Sequence, residues 1–201
     1  MATITTRIGP ADHGRTMTLE EFLETEDEPG YRSELARGML EVTQVPNDPH
    51  GQVVCNLSRI VAGYDATHPG VILRYGGGGE FQLLLEEMGS VRNPDLSIVP
   101  KGAPKDDRGR RIPVLVAEVV SANSVDRDHS AKREEYLAYG LLEYWIIDPQ
   151  LRKLTLLVRH GDRWVEHPCP ADQSIPSLVL PGLNATVHEF WTDLEEYESE
   201  A

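Results

Sequence analysis

The chain has 201 residues, 40% of them hydrophobic, and a formal net charge of −14. That length suits one domain around one core, and the acidic balance argues against casual nucleic-acid binding, because phosphate contacts draw their affinity from lysine and arginine. No run approaches the roughly 18 apolar residues of a membrane span, the start lacks the apolar stretch of a signal peptide, and Cys55 and Cys169 lie far apart with no CxxC partner. A reduced cytoplasmic setting, without a zinc site or disulfide framework, is expected.

Met17-Thr18-Leu19-Glu20-Glu21-Phe22-Leu23 predicts a short helix with Thr18 as N-cap and Glu21 reaching back to the cap. Pro29-Gly30 ends that segment, and Tyr31 to Val45 reads as one or two strands around the turn pair Arg37-Gly38. From His50 to about Tyr64, the apolar positions Val53, Val54, Leu57, Ile60 and Val61 recur at three and four, the spacing of an amphipathic helix. His68-Pro69-Gly70 stops it. Strands are predicted at 71–75, 80–85, 95–99, 112–121, 143–148 and 153–159, with a helix from about Asp128 to Tyr139 closed by Gly140. Gly76 to Gly79 are not followed by the Gly-Lys-Ser/Thr of a phosphate cradle and read as a flexible hairpin turn. The order strand, helix, strand over 112–148 implies parallel strands joined by a right-handed crossover; the earlier strands, joined by short turns, read as antiparallel. A mixed sheet with helices packed on it follows. After Trp164, Pro168, Pro170, Pro176 and Pro181 predict an irregular tail, with a short terminal helix around Val187 to Glu196.

The acids are unevenly spread, concentrated at 20–28 and 193–200. Between Lys101 and Arg133 the balance reverses: Lys101, Lys105, Arg108, Arg110, Arg111, Arg127, Lys132 and Arg133 outnumber Asp106, Asp107, Glu118, Asp126 and Asp128. This segment either attracts phosphate or is an ordinary solvated loop.

Two strands carry acids where buried strands seldom tolerate them. Glu118 interrupts Val114-Leu115-Val116-Ala117-Glu118-Val119-Val120, a run that reads as buried on both faces. Asp95 opens a second apolar run directly after Pro94, a position that suits the start of a strand because proline donates nothing to the ladder. A buried charge costs several kcal/mol unless it is paired or holds a metal, so either the two carboxylates bind Mg²⁺ or Mn²⁺ beside a phosphate, or they form buried salt bridges, Lys132 being one partner. Lys132, in Ala-Lys-Arg-Glu-Glu, also reads as an exposed helix lysine, and Tyr136, one turn on, as a core residue.

In order and spacing, Pro94-Asp95, Glu118-Val119-Val120-Ser121, Lys132 with Tyr136, and Glu143-Tyr144-Trp145-Ile146-Ile147-Asp148-Pro149 resemble the PD-(D/E)xK nuclease superfamily. Within it, the chain is similar to the bacterial Uma family of putative restriction endonucleases, from about Met17 to Trp191. The resemblance implies a single domain over residues 1–201, of α/β (α+β) class and restriction-endonuclease-like fold, with helices on a central mixed β-sheet, a core at about 17–191 and an acidic C-terminal tail. It implies a Mg²⁺- or Mn²⁺-dependent endonuclease acting on DNA, with Asp95, Glu118 and the Val119 carbonyl as metal ligands. The superfamily places lysine two residues after the second acid, where this chain has Val120, so the resemblance moves the amine to Lys132 on the following helix. Glu34 is the candidate for an additional site acid, with Glu41 as rival, and His50 and Tyr136 are candidate accessory residues. Either glutamate also reads as an exposed strand residue, and His50 as a helix-capping one. Cutting both strands of a duplex implies a homodimer. The apolar stretch Ile175 to Leu183, with Phe190 and Trp191, offers surface for it, its simpler fate being to pack on its own sheet. The charge of −14 and Val120 support a rival reading, a catalytically inactive nuclease-derived binding protein. A metal-dependent hydrolase of a small phosphate ester is a further one.

Overall fold

A computed structural model describes residues 6–45, 48–121 and 130–198. In chain order its strands and helices are β1 (Thr6–Ile8), α1 (Leu19–Leu23), β2 (Thr25–Asp27), β3 (Tyr31–Ala36), β4 (Met39–Gln44), α2 (Asp48–Thr67), β5 (Ile72–Gly76), β6 (Leu83–Leu85), β7 (Ser90–Arg92), β8 (Leu96–Pro100), β9 (Leu115–Val119), α3 (Lys132–Tyr139), β10 (Glu143–Asp148), β11 (Lys153–His160), β12 (Arg163–His167) and α4 (Glu195–Glu198). They divide into two compact units, Met1–Pro46 with Gln82–Asn93, and Asn47–Phe81 with Pro94–Ala201.

The smaller unit holds a four-stranded sheet in the order β4-β3-β7-β6 and the parallel pair β1-β2. Its helix α1 starts as its sequence dictates. Thr18 Oγ1 accepts from the Glu21 N–H at 3.2 Å, and Glu21 returns a carboxylate oxygen to the Thr18 N–H at 2.8 Å. The core of this unit is Ile8, Met17, Leu19, Phe22, Leu35, Leu40, Val42, Leu84 and Val91.

The larger unit is built on a six-stranded mixed sheet in the order β12-β11-β10-β9-β8-β5. Only β9 and β10 run parallel, as the strand-helix-strand order requires; the other pairs are antiparallel. Alternation along β9 sends Leu115, Ala117 and Val119 to one face, where they pack with Val53, Leu57 and Val61 of α2 and with Trp145 and Ile147 of β10. The other face receives α3, whose Tyr136 ring meets Tyr144 edge-on at 5.0 Å. Gly140 ends α3 in the left-handed region at φ +98°, the conformation a helix C-terminus commonly needs.

Several expected elements come out differently. Strand 112–121 is trimmed to β9, and 80–85 opens as a 3₁₀ turn at Gly78–Phe81 before β6. The glycine run does not turn a hairpin between sequential partners, because β5 pairs with β8. This pairing contains a bulge between Ile72 and Arg74. Residues 165–167, the start of the expected irregular tail, instead complete β12 on β11, while the terminal helix separates into a 3₁₀ turn at Val187–Trp191 and the short α4. The first part of the expected helix from Asp128 lies outside the described residues.

The proline-rich tail is irregular in backbone yet firmly packed. Ile175, Leu180, Leu183, Phe190 and Trp191 are all buried in the core with residues of the sheet and α2, the simpler fate expected for this apolar stretch, while Leu178 is exposed. Its anchor is Glu143, fully buried in β10, which accepts from Trp145 Nε1 at 3.0 Å, Ser177 Oγ at 2.8 Å and the N–H groups of Leu178 and Val179, the latter at 2.9 Å. Removing the carboxylate strands two buried donors, Trp145 Nε1 and Ser177 Oγ, each costing about 1–3 kcal/mol if left unsatisfied, and two part-buried N–H groups. Glu143→Ala is therefore expected to lower stability by about 3 kcal/mol or more, read as a fall in the urea midpoint.

Candidate functional site

The site begins with the pairing of β8 and β9. Leu96 lies opposite Ala117; Asp95 directly precedes the one and Glu118 directly follows the other. Glu118, next to the core-facing Ala117, points to the other face of β9, while Asp95 stands at the entry to β8, within reach of the start of α2. Both are buried, at 9% and 3% exposure.

Each carboxylate has one oxygen gripped by two donors. Asp95 Oδ2 accepts from the Val119 N–H at 2.9 Å and stands 3.1 Å from His50 Nε2 at the start of α2. Glu118 Oε1 stands 2.9 Å from Lys132 Nζ and accepts from the Tyr136 hydroxyl at 2.6 Å. Lys132 and Tyr136 reach the same oxygen because residues four apart on a helix share a face. The structure thus brings Asp95, Glu118, Val119, Lys132, Tyr136 and His50 together. Tyr136 is a core residue, a fully buried ring whose hydroxyl donates to Glu118.

Burial alone would push the Asp95 carboxyl upward. The hydrogen bond from His50 and its charge, the Val119 N–H and the charge of Lys132 outweigh that, and hold Asp95 below the ordinary aspartate value. It is therefore ionised at neutral pH. The exposed-lysine reading of Lys132 is overturned: it is 5% exposed and paired.

Glu34 belongs to the smaller unit, on β3 directly opposite its rival Glu41 on β4. Arg92 bridges them, its Nη1 at 3.0 Å from Glu34 and 2.6 Å from Glu41, and Arg92 is completely buried. Glu34 also accepts from the Asn93 N–H at 2.8 Å, and Asn93 Nδ2 donates to the Ser33 carbonyl at 2.9 Å. Neither glutamate is an exposed strand residue; both are ion-paired, and Glu34 secures the backbone two residues ahead of Asp95. Sequence reasoning passed over Arg92, whose three-residue strand is too short to show a period, although an arginine between Val91 and Pro94 is as out of place as Glu118.

The basic segment is less basic than its composition. Arg110 is paired with Asp106 at 2.8 Å, and Lys132 is spent on Glu118; Arg127, Asp126 and Asp128 lie outside the described residues. Neither cysteine enters the chemistry of this site. Burial, with the charges of Glu143 and Glu166, pushes the Cys169 thiol up to about 11, the opposite of what a nucleophile needs. Among the described residues, no three or more His, Cys, Asp or Glu side chains cluster as a metal cage.

Lys132→Ala is expected to destabilise the metal-free protein by about 3–5 kcal/mol, since it leaves Glu118 buried without its cation. An exposed helix lysine would give a change within about 0.5 kcal/mol in the same urea titration.

A buried acid pair on adjacent strands of a mixed sheet, with a lysine from the flanking helix, is the arrangement of a restriction-endonuclease-like protein. The crystal structure of a protein from Anabaena variabilis, described as a putative nuclease belonging to DUF820, has this fold: it matches 89% of this chain and 99% of its own, with a TM-score of 0.68 at 18% identity. The family model of Uma2, described as putative restriction endonuclease, matches residues 19–188, and the chain belongs to that family. No curated protein matches.

Proposed function

We propose that this protein is a divalent-metal-dependent endonuclease that hydrolyses phosphodiester bonds in DNA, its residues 1–201 acting as one domain. The observation that carries this reading is the burial of two acids, Asp95 at the entry to β8 and Glu118 in the adjacent β9, with Lys132 on Glu118. Family membership across residues 19–188, and so across parts of both units, supports it.

The donor set fits a hard cation. Asp95, Glu118 and the Val119 carbonyl offer only oxygen, the ligand type that Mg²⁺ and Mn²⁺ take, with waters and substrate oxygens completing the shell. When bound there, the cation supplies Lewis acidity and an acidified water for in-line attack on phosphorus. The chain's own residues prepare the rest. His50 and the Val119 N–H hold Asp95 ionised and oriented, Tyr136 fixes Glu118, and Lys132 sets positive charge where negative charge builds on the phosphate. Glu34 serves through its hold on Asn93. A cytoplasmic setting suits the free thiols Cys55 and Cys169, and no helix among the described residues is long and apolar enough to cross a membrane.

The charge of −14, with Arg110 and Lys132 already paired, favours a second reading, hydrolysis of a small phosphate ester. Plasmid DNA and bis(p-nitrophenyl) phosphate, offered in parallel with Mn²⁺, separate the two. Cleavage of plasmid is expected, falling at least tenfold in Lys132→Ala; turnover of the ester alone gives the second reading, and cleavage of neither in any divalent metal gives a nuclease-derived binding protein.

If the metal dissociation constant is about 1 mM, then about 10 mM Mg²⁺ adds roughly 1.4 kcal/mol of stability by mass action. Asp95→Asn is expected to abolish most of this gain. Equal gains in both proteins would remove the metal from the site.

A duplex cut on both strands needs two active sites, and a homodimer provides them. Sedimentation equilibrium is expected to show a mass twice the 22.4 kDa of one chain; a mass of one chain at every micromolar loading leaves a nicking enzyme.

A further inference from the structure

The glycines from Gly76 to Gly79 face different demands. β5 runs antiparallel to β8 with Gly76 opposite Ser97, so the chain leaving β5 passes beside the approach to β8, where Pro94 and Asp95 lie. A methyl on Gly76 would press on the Phe81 ring, a side chain and not backbone. On Gly77 it would overlap the Asp95 carbonyl oxygen and stand 2.7 Å from the Asp95 carbonyl carbon and 3.0 Å from the Pro94 oxygen. Those are backbone atoms, so no rotamer relieves the clash. Gly78 donates its N–H to the Pro94 oxygen at 3.1 Å from a left-handed φ of +71°. Gly79 is under neither demand: nothing lies within 4 Å of an added Cβ, and its φ is outside the left-handed region.

We infer that Gly77 is a positioning residue for Asp95, its missing side chain letting the loop lie flat against the Pro94-Asp95 backbone and fix where the carboxylate stands. The inference rests on the reading of Asp95 as a metal ligand. The Asp95 carboxylate meets donors held by two other elements, His50 on α2 and the Val119 N–H on β9. Clearing a methyl at position 77 requires a retreat of about 1 Å by one backbone or the other, whereas a working site tolerates about 0.5 Å. The loop thus acts on the site from behind, through the main chain, without touching substrate.

The test uses the full chain and Mn²⁺ itself, titrated by calorimetry, together with the His50 imidazole NMR signals of the metal-free protein. Gly77→Ala is expected to weaken Mn²⁺ binding at least tenfold and to shift the His50 signals, because the imidazole loses its partner at Asp95. Gly79→Ala, which adds the same methyl to open space, is expected to stay within twofold with His50 unmoved. A merely structural glycine would lower the melting temperature while leaving both readouts at wild-type values, and that result would overturn the inference. Absence of Mn²⁺ binding by the wild type would instead overturn the metal reading of Asp95, and the His50 signals alone would then judge Gly77. Should Gly77→Ala fail to fold, Gly78→Ala strains the same loop at φ +71° without a new contact; a threefold loss with shifted His50 signals supports the splint, and wild-type values overturn it.

Discussion

Two buried carboxylates are the constraint that the larger unit is arranged around. Asp95 stands at the entry to β8 and Glu118 in the neighbouring β9, and like charges repel in a medium that screens poorly. The fold answers with four donors from three elements: His50 from α2, the Val119 N–H from β9 itself, and Lys132 and Tyr136 from α3. Each helix flanking the sheet therefore sends polar groups to the same place. A sheet that needed only to be stable would fill these positions with valine, as at Val116 and Val120, at lower cost.

The smaller unit solves a similar problem by a different route. Glu34 and Glu41 are opposed across two strands, and one buried guanidinium serves both. A single nitrogen of the guanidinium, Nη1, meets both carboxylates, while Lys132 pairs with Glu118 and its charge also acts on Asp95. The first arrangement is a closed ion-pair cluster. The second draws its donors from a sheet strand and from both flanking helices.

What the sequence disclosed follows the range of the interactions involved. The Thr18–Glu21 capping box, the three-and-four period of α2 and the run of β10 are local patterns, and each is present with its predicted character. β7 and β12 escaped notice because strands of three and five residues draw their order from partners distant in sequence. In the site, Glu118 was legible because a charge stands out in an apolar strand. The burial of Lys132 was not, since Ala-Lys-Arg-Glu-Glu fits an exposed helix face equally well. The roles of Arg92 and Gly77 were hidden for a stricter reason: one depends on a register between strands, and the other on a backbone approach that leaves no trace in composition.

The six-stranded sheet ends at β5 and β12, and both margins discourage further strand addition. The bulge between Ile72 and Arg74 disturbs the ladder geometry of β5, and Arg74 lies over the Phe81 ring at 5.0 Å. β12 is five residues long and carries Arg163, Glu166 and His167. Short, bulged and charged edges are how natural sheets avoid joining end to end. Neither margin is therefore a ready template for another strand, and the ladder around Glu118 is set by the strands of this sheet alone.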